Sequence, residues 1–370
     1  MQKVMERSIS QGQLFFLIIQ TQIGVGVLSL PFAVHTTAKG DGWISTILAG
    51  FVLQIWIFII VKLARMFPEK NLFQTLRALL GKFVGNILTL AYILYFTALA
   101  SLVAVLQTEL ITKWILPLTP YWVIYLFIII VAVYLATDNI LMIARFFSLS
   151  TGIIIFFIIL VLTVYQDVNI NYILPIKQTS WLDIFIGMKE VLIALAGFEV
   201  LLVIYFCVSD KKKTLKTMSL ANLTTMAIYT FLVFTSLIYF SPEELPLVPE
   251  PVLYMLKAIS FEVLERLDLI FLSIWVIPMT NTFIIYLFQA SVGLKELFKR
   301  DTHSPFVFII VIPIFLSSFF LRDQFLVDEI GQVFQNVVLW FAFGLPLLLL
   351  LIGMIRKLVR KEKDHNVSPS

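Results

Sequence analysis

A carboxylate inside an apolar run is the first feature of this sequence that could do chemistry. Glu199 lies in VLIALAGFEVLLVIYF, two residues after Gly197, and it is the only charged residue of that run. Ionisable side chains at membrane depth are costly and are by default functional. Glu199 could therefore bind a cationic group or exchange a proton. The alternative is a protonated Glu199 that a neighbouring backbone carbonyl satisfies.

A second apolar run contains two glycines where a membrane helix should be most regular. Gly24 and Gly26 flank Val25 in QIGVGVLSLPF. Glycine accepts conformations that expose N–H and C=O groups, and half-helix ends attract a carboxylate at one pole and an ammonium at the other. That is the charge pattern of a free amino acid. The alternative is that the glycines only permit close helix packing.

Both runs belong to a chain that is too apolar for an ordinary soluble protein. Apolar side chains make up 60% of its 370 residues and charged ones 14%, and the mean hydropathy is +0.98. An apolar stretch of about 20 residues can cross the hydrocarbon core of a bilayer. We predict one all-α transmembrane domain in the lipid bilayer, with ten spans at 12–37, 41–63, 83–111, 120–138, 143–165, 184–208, 217–240, 266–292, 304–322 and 332–356.

The two unusual runs occupy corresponding places in this series of spans. They are spans one and six, and span six enters the membrane from the side opposite to span one. Interrupted helices at matching positions of two inverted halves are the best sequence indication of a transporter-type site at the midplane. We therefore predict two inverted five-helix repeats, at 12–165 and 184–356, in which helices 1 and 6 are discontinuous.

The distribution of basic residues predicts the orientation. If the N-terminus is cytoplasmic, all but seven of the 27 lysines and arginines fall on the cytoplasmic side, the exceptions being Lys39, Lys113, Lys177, Lys189, Lys257, Arg266 and Arg322. The positive-inside rule then places both termini in the cytoplasm. Because topology accounts for the basic residues, nucleic-acid binding is the inferior interpretation, and we expect no nucleic-acid partner.

Two segments outside the spans have a distinctive composition. The external connection 241–265 is first rich in proline and acidic residues and then helical in pattern. It could be an ordered hairpin or short helix over the outer face, or a plain connector. The cytoplasmic tail 357–370 is short and highly charged, and we predict that it is disordered.

Signatures of enzymes and metal sites are absent from the sequence. It contains no GxxxxGK[ST] phosphate loop, no HExxH zinc motif and no GxSxG elbow. The three histidines, His35, His303 and His365, are scattered, and Cys207 has no partner for a disulfide. We therefore expect neither catalysis nor a cofactor or metal ion.

Two motifs resemble those of a known superfamily. GVGVLSLPFA in span one resembles the first-helix signature of amino-acid permeases of the amino acid–polyamine–organocation superfamily, which have the LeuT-like fold, and GFE at 197–199 resembles their sixth-helix break. The length, the ten spans, the short tails and ILPI before span six resemble more narrowly the permease-like B subunits of bacterial endospore germinant receptors.

This resemblance implies a nutrient receptor in the inner membrane of a spore. Such a subunit would work with an A subunit and a lipoprotein C subunit, bind a small germinant, commonly an amino acid, and trigger germination. The alternative is a secondary amino-acid permease that carries its substrate across the membrane. Both would use one site, so the residues alone do not separate them.

The same resemblance implies which residues form the site. Backbone N–H groups from Gly24 to Val27 would hold a carboxylate, carbonyls near Thr21 and Ala194 would take an ammonium, and Phe198 would close over the ligand. The residues that it assigns to the two breaks are Thr21, Gln22, Gly24, Val25, Gly26, Ala194, Ala196, Gly197, Phe198 and Glu199.

Polar residues in two further spans are candidates by their type alone. Tyr95 and Ser101 lie in span three, and Thr280 and Asn281 follow Pro278 in span eight. They could face the site, although hydroxyl and aromatic groups in membrane helices are also commonly satisfied within the helix packing.

Overall fold

A computed structural model describes residues 8–258, 267–321 and 324–366, and no β-strand occurs in this part of the chain. The helices of its first half are α1 (Gln11–Gln22), α2 (Gly26–Ala38), α3 (Gly42–Met66), α4 (Leu72–Trp114), α5 (Tyr121–Ala136) and α6 (Ile140–Leu162). Those of the second half are α7 (Trp181–Ala194), α8 (Val200–Ile204), α9 (Thr214–Tyr239), α10 (Pro251–Ala258), α11 (Leu267–Leu297), α12 (Ser304–Phe320), α13 (Gln324–Val338) and α14 (Leu345–Asn366).

All of these helices except α10 belong to the ten spans. The first span consists of α1 and α2, the sixth of α7 and α8, and the tenth of α13 and α14 joined by a π-helical segment at Leu339–Gly344. Six helical stretches of the described chain are long and apolar enough to cross a membrane, and α5 and α12 are shorter apolar helices. The prediction of an all-α membrane protein with discontinuous first and sixth helices is confirmed.

Local sequence signals set the starts of several helices. Ser10 and Gln13 form a reciprocal capping box at α1, and Ser180 and Asp183 form another at α7. Asn71 caps α4 by accepting a hydrogen bond from the N–H of Gln74 (2.9 Å). Such caps satisfy N–H groups that have no partner within the helix.

The third span is preceded by a short limb that runs in another direction. Within α4, Gly81 has φ 82° and ψ 173°, which separates residues 72–80 from the long apolar helix that follows. A side chain is disfavoured at positive φ, so glycine suits this bend. The long apolar helix therefore begins just after Gly81, close to residue 83, where the sequence predicts the start of span three.

Burial separates a central group of helices from a lipid-facing rim. The core is apolar but also contains fully buried polar side chains such as Gln20 and Asn281. The outer faces of α5, α6 and α12 instead expose large apolar side chains, among them Phe127, Val131, Tyr134, Leu149 and Phe320. Apolar residues exposed over whole helix faces are expected where lipid is the solvent.

Both described ends of the chain lie at the same end of the bundle. Ile9 donates its N–H to the carbonyl of Cys207 (2.8 Å) just before α9. Lys211 then pairs with Glu69 (2.6 Å) in the connection between α3 and α4, and Arg356 of α14 donates to a carbonyl of α4 (3.3 Å). We call this the basic end, because most of the lysines and arginines of the described chain lie there.

Two segments outside the spans are more regular than a loop. In the connection 241–265, α10 buries Val252, Leu253 and Met255, while residues 259–266 lie outside the described part of the chain. The prediction of a disordered tail is wrong for residues 357–366, because α14 continues to Asn366. Lysine, arginine and glutamate are good helix formers, and they extend a helix that the membrane span has already nucleated. Residues 367–370 lie outside the described chain.

Candidate functional site: two facing helix breaks

The first helix break is short and is open on one side. Residues 23–25 separate α1 from α2, and Gly26 is the first residue of α2. The N–H groups of Gly24 and Val25 donate no hydrogen bond within the described chain. Gly26 is exposed, and a Cβ atom built on it would meet no atom within 4 Å. Open space at Gly26 therefore lies at the positive end of α2, next to the unpaired N–H of Val25, whereas Gly24 is buried against Thr282.

The sixth helix break is closed by its own side chain. It spans residues 195–199, and Gly197 takes φ +114° within it. The carboxylate of Glu199 accepts a hydrogen bond from the N–H of Gly197 (2.7 Å) and another from the hydroxyl of Tyr95 (3.3 Å). Glu199 is only 2% exposed. Both carboxylate oxygens therefore accept hydrogen bonds, and the contacts include no basic side chain.

The two breaks are in direct contact. A Cβ atom at Gly197 would lie 2.8 Å from the Cγ2 atom of Thr21 and 3.0 Å from its carbonyl oxygen. The amide of Gln22 donates to the carbonyl of Leu195 (2.7 Å), which joins the end of the first half of span one to the start of the sixth break. The structure thus brings Thr21, Gln22 and Gly197 together, as a site between spans one and six requires.

Tyr229 of α9 holds both half-helix ends. Its hydroxyl lies 2.7 Å from the carbonyl oxygen of Gln22 and 3.3 Å from that of Ala194, and can donate to either. Thr225, one turn earlier, donates to the Gln22 side chain (3.0 Å). The carbonyl at Ala194, which the resemblance assigns to an ammonium, therefore already has a donor. A carbonyl oxygen has two lone pairs, so it can accept a second hydrogen bond.

A second buried polar network lies one helical turn before the first break. The amide of Asn281 in α11 donates to the side chains of Gln20 (3.0 Å) and Ser150 (2.8 Å), and Gln20 donates to Thr151 (3.3 Å). Thr282 adds a longer bond to the carbonyl of Gln20 (3.4 Å). This network fixes α1 against α6 and α11. Asn281 thus contacts span one at Gln20, before the first break in the chain.

The four candidates outside the breaks differ in whether they contact the sixth break. Tyr95 contacts Glu199, as described above. Thr280 points toward α4 instead, where the amide of Gln107 donates to it (2.9 Å). Ser101 is half-buried and makes no side-chain hydrogen bond within the described chain. Of the four, only Tyr95 has a hydrogen bond to a residue of the sixth break.

The π-helical segment of span ten forms one wall of the sixth break. Phe343 packs edge-on against the fully buried Phe198 (centroids 5.1 Å apart), and Phe341 stacks on Tyr95 (4.7 Å). The carbonyl of Phe341 accepts a hydrogen bond from the Tyr92 hydroxyl (3.1 Å). Pro346 follows and has no N–H to donate back into this segment, so a side-chain donor takes its place. π-Helical segments often occur at functional sites.

Several of these residues are absent from the sequence prediction. Gln20 could have been identified from the sequence, because an amide in an apolar run is costly unless it is paired. The sequence gives little indication of Tyr229 and Thr225, since a hydroxyl in a membrane helix commonly bonds to its own backbone. The sequence gives no indication of Phe341 and Phe343, because LWFAFG is an ordinary apolar stretch.

The polar groups of the two breaks can be compared with the donor sets of metal sites. Among the described residues, no group of three or more His, Cys, Asp or Glu side chains is placed to hold a metal ion. The two breaks offer backbone donors, backbone acceptors and one carboxylate. These groups can bind a small polar molecule.

Comparison with known protein families matches this architecture. The model of the family described as "Spore germination protein" matches residues 8–325. The chain is 27% identical over 361 residues to spore germination protein YndE of Bacillus subtilis, covering 96% of this chain and 98% of that protein. It is 29% identical over 349 residues to GerQB of Bacillus cereus, covering 90% and 95%, and 28% identical over 350 residues to spore germination protein A2 of B. subtilis, covering 92% and 94%.

Solved structures with the same fold are transporters. A substrate-bound, outward-open Na⁺-coupled sialic acid symporter has a TM-score of 0.69 at 13% identity, covering 94% of this chain and 79% of that one. Mhp1, a nucleobase-cation-symport-1 family transporter with bromovinylhydantoin bound, has a TM-score of 0.65 at 14% identity, covering 93% and 78%. These likenesses show the LeuT-like fold. Together with the family match, they show that the chain belongs to the spore germination protein family of permease-like integral membrane proteins.

Proposed function

We propose that this protein is the membrane-embedded subunit of a spore germinant receptor and binds an amino acid between the breaks of spans one and six. The main support is the direct contact of two interrupted helices, Thr21 against Gly197 and Gln22 against Leu195, inside a germination-family protein. The bound molecule would shift a conformational equilibrium by binding one state more tightly than the other.

The charges of the two breaks suit a zwitterion. A ligand carboxylate can take the N–H groups of Gly24 and Val25, which have no acceptor in the described chain. A ligand ammonium can pair with Glu199, whose described contacts are two hydrogen-bond donors and no basic side chain. A buried carboxylate without a cation is costly, so a cationic group or a proton stabilises it. Ala196, Phe198 and the Tyr95 ring would enclose the remainder of the ligand.

The proposed cellular setting follows from the family and from the basic end. Both termini would face the cytoplasm, since the basic end carries them and basic loops prefer that side. The membrane would be the spore inner membrane, and the partners would be A-type and C-type receptor subunits. Spore germination relatives that match over nearly their whole length support this setting.

The second candidate is a secondary amino-acid permease. It is favoured by one observation, the fold shared with the sialic acid symporter and Mhp1. Purified protein in liposomes separates the two functions. Saturable binding of a free amino acid without flux supports a receptor, whereas accumulation driven by an ion gradient supports a permease.

Replacing Gly26 by leucine tests the binding site itself. The added side chain meets no protein atom at its Cβ position, so the fold should tolerate it while the amides beside it become covered. Loss of a hydrogen bond to a charged group weakens binding by more than about tenfold. The measurement is equilibrium binding of the wild type and Gly26→Leu to a panel of labelled free amino acids and nucleosides.

The matched control is Gly12→Leu, because Gly12 also has open space at its Cβ position but lies at the basic end, away from the breaks. Gly12→Leu should bind as the wild type does. A normal affinity in Gly26→Leu would place the ligand elsewhere. Binding of nucleosides alone would keep the site but reject the amino acid as its ligand.

A further inference from the structure

The basic end carries a surface hollow that the proposed ligand site does not use. Two adjoining recesses meet at Arg65, near the end of α3. The first is a cleft of about 180 Å³ lined by Phe58, Val61, Lys62, Arg65 and Leu215. The second is a wider hollow of about 390 Å³ lined by Arg65, Tyr205, Lys211 and Lys212.

The recesses change from apolar to basic along one helix face. Phe58, Lys62 and Arg65 follow each other at i, i+4 and i+7 on α3, so they lie on one face. Leu215 of α9 faces them across the cleft. Phe58 is 53% exposed, on a helix whose exposed apolar residues face lipid. The cleft therefore runs from hydrocarbon depth toward the polar surface of the bilayer.

Hydrogen bonds between polar groups join α3 and α9 beneath the cleft. Gln54 of α3 donates to Ser219 of α9 (2.7 Å) and accepts from Asn222 (3.2 Å), which also donates to the carbonyl of Gly50 (3.0 Å). The walls of the cleft are thus held at a set separation, which makes the recess a formed feature of the fold.

Positive charge exceeds negative charge around the hollow. Lys62 and Lys212 form no ion pair within the described chain. Arg65 donates one N–H to the carbonyl of Lys212 (3.1 Å) and also interacts with the Tyr205 hydroxyl, and a guanidinium has five donors, so donors remain for an anion. Lys211 is paired, with Glu69 (2.6 Å), a carboxylate whose side chain is 82% exposed. Asp210 accepts the N–H of Lys212 (3.1 Å) and pairs with Lys213 (3.3 Å), so two acidic side chains stand against five basic ones.

We propose that this cleft and hollow bind an anionic phospholipid. The phosphate would lie between Lys62, Arg65 and Lys212, because a guanidinium fork and ammonium groups match phosphate oxygens. One acyl chain would lie against Phe58 and Leu215. A free phosphate or an acidic protein segment would use the basic hollow but would leave the apolar cleft unfilled. Basic pockets between membrane helices bind lipid head groups in the same way.

The test uses the full-length protein in a non-ionic detergent. Phosphatidylglycerol, phosphatidylcholine or inorganic phosphate is added, and bound lipid is counted by native mass spectrometry. The wild type should retain phosphatidylglycerol and not phosphatidylcholine. Lys62→Gln with Arg65→Gln should bind phosphatidylglycerol about 30-fold more weakly, since each basic residue near a membrane surface contributes roughly a fivefold factor.

The matched control removes the same two charges elsewhere. Lys82 and Arg145 are exposed and lie outside both recesses, so Lys82→Gln with Arg145→Gln should bind as the wild type does. If the Arg65 variant does not fold, Lys62→Gln with Lys212→Gln replaces it, against Lys82→Gln with Lys299→Gln.

Several results would overturn the proposal. They are equal affinity in the test and control variants, equal retention of the two lipids, and displacement of phosphatidylglycerol by inorganic phosphate at a similar concentration. Tighter binding of an acidic peptide than of the lipid at the same residues would assign the hollow to a protein partner instead.

Discussion

The two helix breaks contain glycines in different surroundings, although they face each other. At the sixth break, Gly197 has positive φ, its N–H is bonded to Glu199, and its Cα lies against Thr21. At the first break, Gly26 has ordinary helical geometry and open space in front of it, and the amides of Gly24 and Val25 have no acceptor. The N–H of Gly197 is thus paired within the sixth break, whereas the first break has N–H donors left for a ligand.

This difference assigns different roles to the breaks. At Gly197 the backbone acts as a scaffold, because an atom added there must displace Thr21, while the Glu199 carboxylate is the part of this break proposed to meet the ligand. At the first break, position 26 has open space and can adjoin a ligand without such displacement, whereas position 24 is packed against Thr282. The following substitutions test that division, from the largest expected change in the free energy of unfolding to the smallest.

The largest effect is expected from Gly197→Ala. The new Cβ would lie 2.8 Å from the Cγ2 atom of Thr21, at a φ of +114° that side chains rarely adopt. Backbone strain and overpacking together should cost about 3 kcal/mol. Thermal unfolding of the detergent-solubilised protein, followed by tryptophan fluorescence, measures the loss.

Gly152→Ala is the control for this substitution, because Gly152 lies within α6 and a Cβ there meets no atom within 4 Å. It should unfold at the wild-type temperature or slightly above. If Gly197→Ala unfolds at the same temperature as Gly152→Ala, Gly197 is not packed against Thr21 as a scaffold.

A smaller loss is expected from Gly24→Ala. Its Cβ would lie 2.6 Å from the hydroxyl oxygen of Thr282 in α11, and this short side chain has to rotate away from its bond to the Gln20 carbonyl. Overpacking of this kind costs about 1–3 kcal/mol. The measurement is again thermal unfolding, compared among Gly24→Ala, Thr282→Ala and the double variant.

The double variant decides the cause. Removing the Thr282 hydroxyl makes room for the new methyl group, so the two losses should add up to more than the loss in the double variant. Strict additivity would mean that Thr282 is not what excludes a side chain at position 24.

The sequence predicts the spans and both breaks, because hydropathy and glycine placement are local signals. The span that begins at 83 agrees with the bend at Gly81, and GVG and GFE mark the breaks to within a few residues. The contacts between the breaks could not be predicted in this way. Gln22 bonds to a carbonyl 173 positions away, and that pairing depends on how the two halves of the chain pack.

Other parts of the site could not be predicted, because their sequence pattern does not reveal the contacts that these residues make. The aromatic wall of Phe341 and Phe343 arises from a π-helical segment, and the carbonyl of Phe341 accepts a hydrogen bond from a side chain of another span, the Tyr92 hydroxyl. Asn281 was a visible polar residue, yet nothing in one sequence says that it faces Gln20 and Ser150 rather than the breaks. Hydropathy reveals that a polar group is buried and does not reveal its partner.

The smallest change in stability, with the opposite sign, is expected from Gly26→Ala. Position 26 begins α2 and has room for a methyl group, and alanine is favoured over glycine in a helix, so the protein should become more stable by about 0.5 kcal/mol. The same methyl group would stand beside the free amides of the first break, so amino-acid binding should weaken even as the unfolding temperature rises. Measuring both quantities on one variant separates the roles of the breaks: at a scaffold position, stability and binding fall together, whereas at a ligand-facing position they move apart. If Gly26→Ala lowers both, the first break is as much a part of the packed scaffold as the sixth.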